Sequence, residues 1–313
     1  MSLIKRAAEL NLQTKMKVLI YGQAGTGKST LAISAPKPLL FDFDGGVHRI
    51  NFSHLSGVDT VQITSYQNFL DVLEEDLSSY ESFVIDTGGK MLDYMAEHIV
   101  KKNPKMGKSN GTLTLQGYGE RKAEFTALNR RFAIMNKHII YVAHRETQTD
   151  GDDKRYVPLF GGSNYDSLVT ELDLVGYLEA NGRKRVITFD PTSRNDGKNT
   201  CNLPATIEIP VIVDAEGNPT APNSFLVDQI IKPYQSRLEQ RKKDAEKFNQ
   251  LMATIREQIE LITDAESATD FVKRIDEFEH IGTSKVMSAK ILAEHTKGLK
   301  LTFNKESKSY ERV

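Results

Sequence analysis

Val18-Leu19-Ile20-Tyr21-Gly22-Gln23-Ala24-Gly25-Thr26-Gly27-Lys28-Ser29 is the stretch on which the fold turns. Its apolar start reads as a buried strand, and Gly22 to Ser29 fits the pattern G-x-x-x-x-G-K-[ST] at every position. The chemistry explains the residue types. Glycines let successive backbone N–H groups turn inward around phosphate oxygens, and the start of the following helix adds partial positive charge. Lys28 is expected to bridge the β- and γ-phosphates, and the Ser29 hydroxyl to take a place on Mg²⁺. Gly22, Gln23, Ala24, Gly25, Thr26, Gly27 and Thr30 complete the expected nucleotide-binding set.

Working outward, a helix from Lys28 to Ser34 is stopped by Pro36, and Pro38 to Asp44 reads as a second strand. Val61-Gln62-Ile63 is a weaker third. Phe69, Leu70, Leu73 and Leu77 stand at helical spacing, Phe83-Val84-Ile85-Asp86 is a strand ending in an acid, and Met91 to Val100 is helical. Lys101 to Gly119 loses periodicity and predicts a long loop. Phe125 to Phe132 predicts a helix, His138 to His144 a strand ending in a polar residue, and Arg145 to Pro158 a second long polar loop. Another helix starts over Tyr165 to Val169. Leu172 to Leu178 and Arg185 to Phe189 predict a late hairpin. Strands alternating with helices imply a parallel sheet covered by helices. Beyond Pro233 the pattern is helical without strands, with a capping box at Thr263-Asp264-Ala265-Glu266.

Asp86 stands where an acid holds Mg²⁺ through water in such proteins. Thr87 follows it, so a catalytic glutamate directly after that aspartate is excluded. Side-chain alternation puts Asp42 and Asp44 on one face of the second strand, Asp44 nearer its carboxyl end, where ligands of open parallel sheets bind. Asp44 is therefore the candidate base for the attacking water. His144 is the candidate sensor of the γ-phosphate. Lys184, Arg185 and Lys198 are candidates to reach phosphates of a neighbouring subunit.

Composition narrows the class. Lys plus Arg (41) nearly cancels Asp plus Glu (42), so any nucleic-acid surface must be local. One Cys and seven scattered His give no disulfide and no zinc spacing. No apolar run approaches a membrane span, and Met1 to Arg6 lacks a signal peptide's apolar stretch, which predicts a cytoplasmic protein. Cations and rings in the two polar segments, Lys105, Lys108 and Tyr118 in the first and Lys154, Arg155 and Tyr156 in the second, fit sequence-tolerant single-strand binding, with Asp150, Asp152 and Asp153 offsetting charge in the second.

With these residues in place, Lys17 to Pro204 resembles the RecA-type ATPase core, and within it the phage-encoded recombination ATPases that work with single-strand annealing proteins. The resemblance rests on Gly22 to Ser29, on Leu40-Phe41-Asp42-Phe43-Asp44, on Val84-Ile85-Asp86, on Tyr141-Val142-Ala143-His144 and on Phe160-Gly161-Gly162. It implies a RecA-like α/β core, a mostly parallel sheet flanked by helices, expected over residues 1–232; the helical extension expected over 233–313 lies outside the resemblance and rests on the helical pattern there. The resemblance also implies ATP and Mg²⁺ bound between subunits of a homo-oligomer, the two polar segments facing single-stranded DNA, and a single-strand annealing or single-strand-binding protein as partner, in the host cytoplasm if phage-encoded. RecA-type proteins carry Glu where Asp44 stands, which implies slow hydrolysis. Gly197-Lys198-Asn199-Thr200 keeps only the lysine of their lysine-arginine pair. The rival readings are a replication or packaging motor or helicase loader with protein partners, a small-molecule kinase, and a nucleotide-gated scaffold with little turnover.

Overall fold

The computed structural model of the chain describes residues 14–151, 153–161 and 163–312. Met1 to Arg6, Asp152 and Gly162, named above, lie outside the described residues. The chain divides into two compact units, Gln13–Tyr234 and a second beginning at Gln235.

In the first unit, β1 (Lys17–Gly22) leads through the glycine-rich turn to the short helix α1 (Lys28–Ala32). Then come β2 (Pro38–Asp42), α2 (Phe52–Leu55), β3 (Asp59–Gln62), α3 (Tyr66–Val72), β4 (Ser82–Asp86) and α4 (Gly88–Lys102). The helix α5 (Leu115–Met135) precedes β5 (His138–Asp150) and β6 (Asp153–Pro158), which α6 (Ser163–Glu171) follows. The hairpin β7 (Leu174–Asn181) and β8 (Lys184–Thr188) matches expectation. Two short strands, β9 (Lys198–Asn199) and β10 (Thr206–Ile209), complete the sheet.

The sheet runs β10-β8-β7-β1-β5-β4-β2-β3, and its pairs from β7 to β3 are all parallel. One strand, β5, separates the strand before the glycine-rich turn from β4 with its terminal acid. Alternation along the strands sorts the core into two layers. Leu19, Tyr21, Phe41, Phe83, Ile85 and Tyr141 face α3, α4 and α5 on one side. Val18, Ile20, Leu40, Val84, Ile140 and Val142 pack with Leu31 of α1 and with Leu226, Ile230 and Ile231 on the other. Those last residues lie on a π-helical turn, Leu226–Ile231. Because both faces are covered, the strands read as unbroken apolar runs. The expectation of a mostly parallel sheet flanked by helices holds.

Four local expectations are corrected. Lys101 to Gly119 is not one long loop: α4 continues to Lys102, a 3-10 turn covers Pro104–Met106, and α5 begins at Leu115 with the Thr114 hydroxyl accepting from Gly117 N at 3.1 Å. Arg145 to Pro158 is not a loop either. β5 runs on past His144 and pairs antiparallel with β6 from Arg145↔Pro158 to Asp150↔Asp153. β2 stops at Asp42, so Asp44 lies in the turn beyond the strand.

The last correction concerns the second unit. It takes in the long helix α7 (Lys232–Glu260) from Gln235 on, with α8 (Ala265–Arg274) and α9 (Ser284–Gly298). It is helical as expected, but it also carries a two-stranded hairpin, β11 (Leu301–Asn304) with β12 (Ser309–Arg312). Ile255, Ile259, Phe271, Leu292 and Tyr310 form its core. Asp264 caps α8, accepting from Ser267 N at 2.8 Å. Among the described residues no helix is long and apolar enough to cross a membrane.

Candidate nucleotide site

Parallel register brings the carboxyl ends of β1, β5, β4 and β2 to one edge, pairing Gly22 with His144 and Asp42 with Asp86. A cavity of about 190 Å³ opens there, lined by Ala24, Gly25, Gly27, Lys28, Ser29 and Thr30, with Asp44, Asp86 and His144 facing them. The residues that line it come from segments over a hundred positions apart. Gly25 (φ 79°) and Gly27 (φ 91°) hold the left-handed backbone that only glycine adopts without strain. Gly22 meets a different demand: a Cβ there would stand 2.3 Å from Leu178 O, so the loop leaves β1 only without a side chain.

Gly22, Gln23 and Thr26 frame the loop rather than line the cavity. Gln23 O accepts from Lys28 Nζ at 2.8 Å and from the Thr26 hydroxyl at 2.9 Å. Lys28 is only 6% exposed. Burial lowers its pKa, and the Asp86 and then Asp44 carboxylates oppose that shift. Asp86, on the buried end of β4, is pushed up to about 6, chiefly by burial, against the pull of a Ser29 hydrogen bond and of Lys28. A buried acid with a serine hydroxyl beside it is the donor pair a Mg²⁺ site of this kind needs, the remaining positions falling to phosphate and water. Among the described residues there is no group of three or more His, Cys, Asp or Glu that could hold a metal ion.

The two acids of the β2 end separate. Asp42 is buried, and its oxygens accept from Gly46 N at 3.0 Å and Val47 N at 3.3 Å, so it clamps the turn. Asp44 lines the cavity and accepts from Gly46 N at 2.9 Å. His144 is held below the usual imidazole pKa by burial and by Lys28, with Asp44 opposing. A neutral ring there can accept or donate one hydrogen bond to a phosphate or water.

Sequence reasoning missed Arg49 and Arg145 at this edge and named Arg185 only toward a neighbouring subunit. Arg49 lines the cavity from a 3-10 turn, Val47–Arg49. Arg185, proposed to act on a neighbour, donates from Nε to Thr26 O of its own loop at 3.0 Å. Arg145 donates to the Tyr177 hydroxyl at 2.9 Å and to Gln23 Oε1 at 3.1 Å. Lys198 donates to Val169 O (2.7 Å) and Thr170 O (3.2 Å), at the carboxyl end of α6, so its ammonium serves its own fold. Arg49 stands in a polar segment without periodicity, so nothing local marked it.

The residues assigned to nucleic acid have different fates. Lys105, Lys108 and Lys154 are exposed, and so is Tyr118, with the Arg121 guanidinium 5.0 Å from its ring centre. Arg155 is paired with Asp196, its Nε at 3.0 Å from Oδ1. Tyr156 stacks on Tyr177 at 5.5 Å and 24°, and Arg145 and Arg194 lie over its ring at 4.1 and 5.3 Å. The reading of Tyr156 as a free face for bases is thereby corrected: its ring is occupied by the protein's own side chains.

No curated protein matches the sequence. Among solved structures, the chain is similar to one described as an ATPase domain, at 10% identity over 66% of this chain and 85% of that chain, with a TM-score of 0.41. It is also similar to the flagellar accessory protein FlaH from Methanocaldococcus jannaschii, at 13% identity over 62% and 84%, with a TM-score of 0.34. The family model AAA_24, described as AAA domain, matches residues 14–201, from just before β1 to just past β9, and the chain belongs to that family.

Proposed function

We propose that the protein hydrolyses ATP to ADP and phosphate, and that it does so as a homo-oligomer handling single-stranded DNA in recombination or repair in the cytoplasm. One observation carries the hydrolytic part: Lys28, Ser29, Asp86, Asp44 and His144 line a single cavity at the sheet's carboxyl edge. The loop amides and Lys28 bind the β- and γ-phosphates. Ser29 and Asp86 would hold Mg²⁺, which supplies charge neutralisation across those phosphates. Asp44 takes the proton of the attacking water, whose oxygen bonds to the γ-phosphorus as the bond to the β-γ bridging oxygen breaks. His144, which lines the cavity, senses the γ-phosphate in this reading, and the next residue, Arg145, ties the loop's Gln23 to the β5–β6 hairpin through Tyr156.

That connection supports the DNA reading, because the hairpin carries the exposed Lys154. One observation favours a protein-partnered motor or helicase loader instead. Arg155 and Tyr156, two of the three residues the hairpin offers a nucleic acid, are already engaged within the chain. The ATPase rate with no nucleic acid, single-stranded DNA, duplex DNA and RNA separates them, with Lys28→Ala as the inactive control. Single strands are expected to stimulate the parent several-fold. Equal rates in all four conditions would remove DNA, and a Lys28→Ala rate equal to the parent's would remove the ATPase assignment.

A further inference from the structure

A chain whose charges nearly cancel can bind a nucleic acid only through a local surface, and the second unit has such a place in its last residues. From Lys297 to Arg312 the chain carries Lys297, Lys300, Lys305, Lys308 and Arg312 against Glu306 and Glu311 alone. Arg312 acts on the Asp264 carboxylate, and the Glu311 carboxylate accepts from Asn304 Nδ2 at 3.0 Å. The four lysines are different. All are exposed, and among the described residues none of their ammonium groups has an ion-pair partner.

Their backbone sharpens the point. Lys300, in the turn from α9 to β11, and Lys308, in the turn from β11 to β12, hold φ of 55° and 51°. A Cβ disfavours that left-handed conformation, and asparagine is among the few residues besides glycine that take it readily. The chain uses asparagine so at Asn136 and Asn202. A third lysine in that region, Lys37 (φ 38°), has its ammonium 3.0 Å from the Glu81 carboxylate. Lys300 and Lys308 bear the same backbone cost without the anion. The hairpin that presents them is fixed: Leu301 and Tyr310 are buried in the core of the second unit, and the Thr269 hydroxyl of α8 accepts from Tyr310 N at 2.9 Å. Phe303, opposite Tyr310 with ring centres 5.1 Å apart, is 37% exposed, so β11 carries an open ring between Lys300 and Lys305.

We propose that the β11–β12 hairpin is a contact for single-stranded DNA, its lysines neutralising phosphates and Phe303 stacking on a base. Unpaired cations beside an exposed ring, on a hairpin held by its own core, are what sequence-tolerant binding of a single strand requires. The inference rests on the single-stranded-DNA reading of the protein and deepens it, because it gives part of the contact to a unit other than the one that holds the nucleotide cavity. This part of the binding is therefore independent of ATP.

The test uses variants that suit the fold. Lys300→Asn with Lys308→Asn removes two cations and gives both turns a residue fitted to their backbone, and Phe303→Leu keeps an apolar side chain against Tyr310 while removing the ring. Each is made in the full chain, titrated into a fluorescent oligothymidine across a salt series with and without MgATP, and unfolded in urea. The lysine variant should bind several-fold more weakly, with a salt slope lower by roughly 0.7 per lost phosphate contact, equally with and without nucleotide, and at a urea midpoint no lower than the parent's. Phe303→Leu should lose about tenfold for oligothymidine and less for a duplex of the same length. Parental affinity and slope in the lysine variant overturn the hairpin contact and, where the parent binds, leave the DNA reading standing elsewhere on the chain. A urea midpoint that falls together with binding assigns the lysines to the fold and overturns it too, as does a loss seen only with MgATP. Parental affinity in Phe303→Leu overturns the stacking on which the single-strand assignment depends. A parent that binds no oligothymidine overturns the DNA reading itself.

Discussion

Asp86→Asn is expected to make the protein more stable while removing its dependence on Mg²⁺. The folded chain holds this carboxyl at a pKa of about 6 against an ordinary 3.8, with burial as the main cause. The folded state therefore binds the proton more tightly than the unfolded state does. Stability is highest with the acid protonated and is lost as pH rises from about 4 through about 6. Two pKa units correspond to about 3 kcal/mol. Asparagine keeps the shape without the charge and recovers that cost. That cost is already net of the attraction between this carboxylate and the Lys28 ammonium, which pulls the pKa down. A gain of about 3 kcal/mol, in a domain of this size, raises Tm by about 6–12 °C. Urea denaturation of the Mg²⁺-free and nucleotide-free proteins from pH 4.5 to 8 measures it. The gap between variant and parent should widen up to about pH 6.5 and then stay level. A variant no more stable than the parent at pH 7.5 would refute the reasoning, because Asp86 would then not be an acid kept charged at the expense of the fold.

Asp44→Asn should bind ATP with parental affinity and hydrolyse it about 10²- to 10⁴-fold more slowly, since it loses the proton acceptor and keeps the shape; full turnover would move the base elsewhere. Lys105→Ala with Lys108→Ala should flatten the salt dependence of oligothymidine binding by roughly 0.7 per lost phosphate contact, read by fluorescence anisotropy with ATP present, and leave the DNA-free ATPase rate intact. An unchanged slope there and in Lys154→Ala with Arg155→Ala would take DNA off both segments. Gly22→Ala should lower the urea midpoint by the equivalent of about 1–3 kcal/mol, because its Cβ would meet Leu178 O, a backbone atom that cannot swing aside; a midpoint within error of the parent's would mean that β1 and β7 part easily.

How far the sequence could be read depended on whether the cause of a structure was local. β1 and β4 were legible because strands buried on both faces must be apolar throughout, and the glycine-lysine turn because close backbone approach to phosphate restricts each position. The start of α5 was not. Gly117 and Gly119 look like loop residues, yet Gly117 is a glycine because a Cβ would lie 2.4 Å from Met106 O, a tertiary approach made inside a helix. The β5–β6 hairpin was missed because Glu146-Thr147-Gln148-Thr149 alternates no apolar face, and what holds it, the β6 pairing and the packing of Tyr156 on Tyr177, appears only in the fold. β11 and β12 were hidden for a related reason: they are short, and Phe303 and Tyr310 show as a pair only once the chain has turned back on itself.

The sequence by itself determined the phosphate loop, the class of sheet and the order in which Gly22, Asp44, Asp86 and His144 arrive, since each is encoded by neighbours a few residues away. The sequence separated Asp42 from Asp44 only by nearness to the strand's carboxyl end, and tertiary structure supplied the physical reason: β2 ends at Asp42, whose carboxylate is taken by Gly46 N and Val47 N, leaving Asp44 to line the cavity. It decided the arginines as well, because Arg49, Arg145 and Arg185 reach the loop from segments up to about 160 residues away, a distance over which no local pattern carries information and only packing of the sheet does.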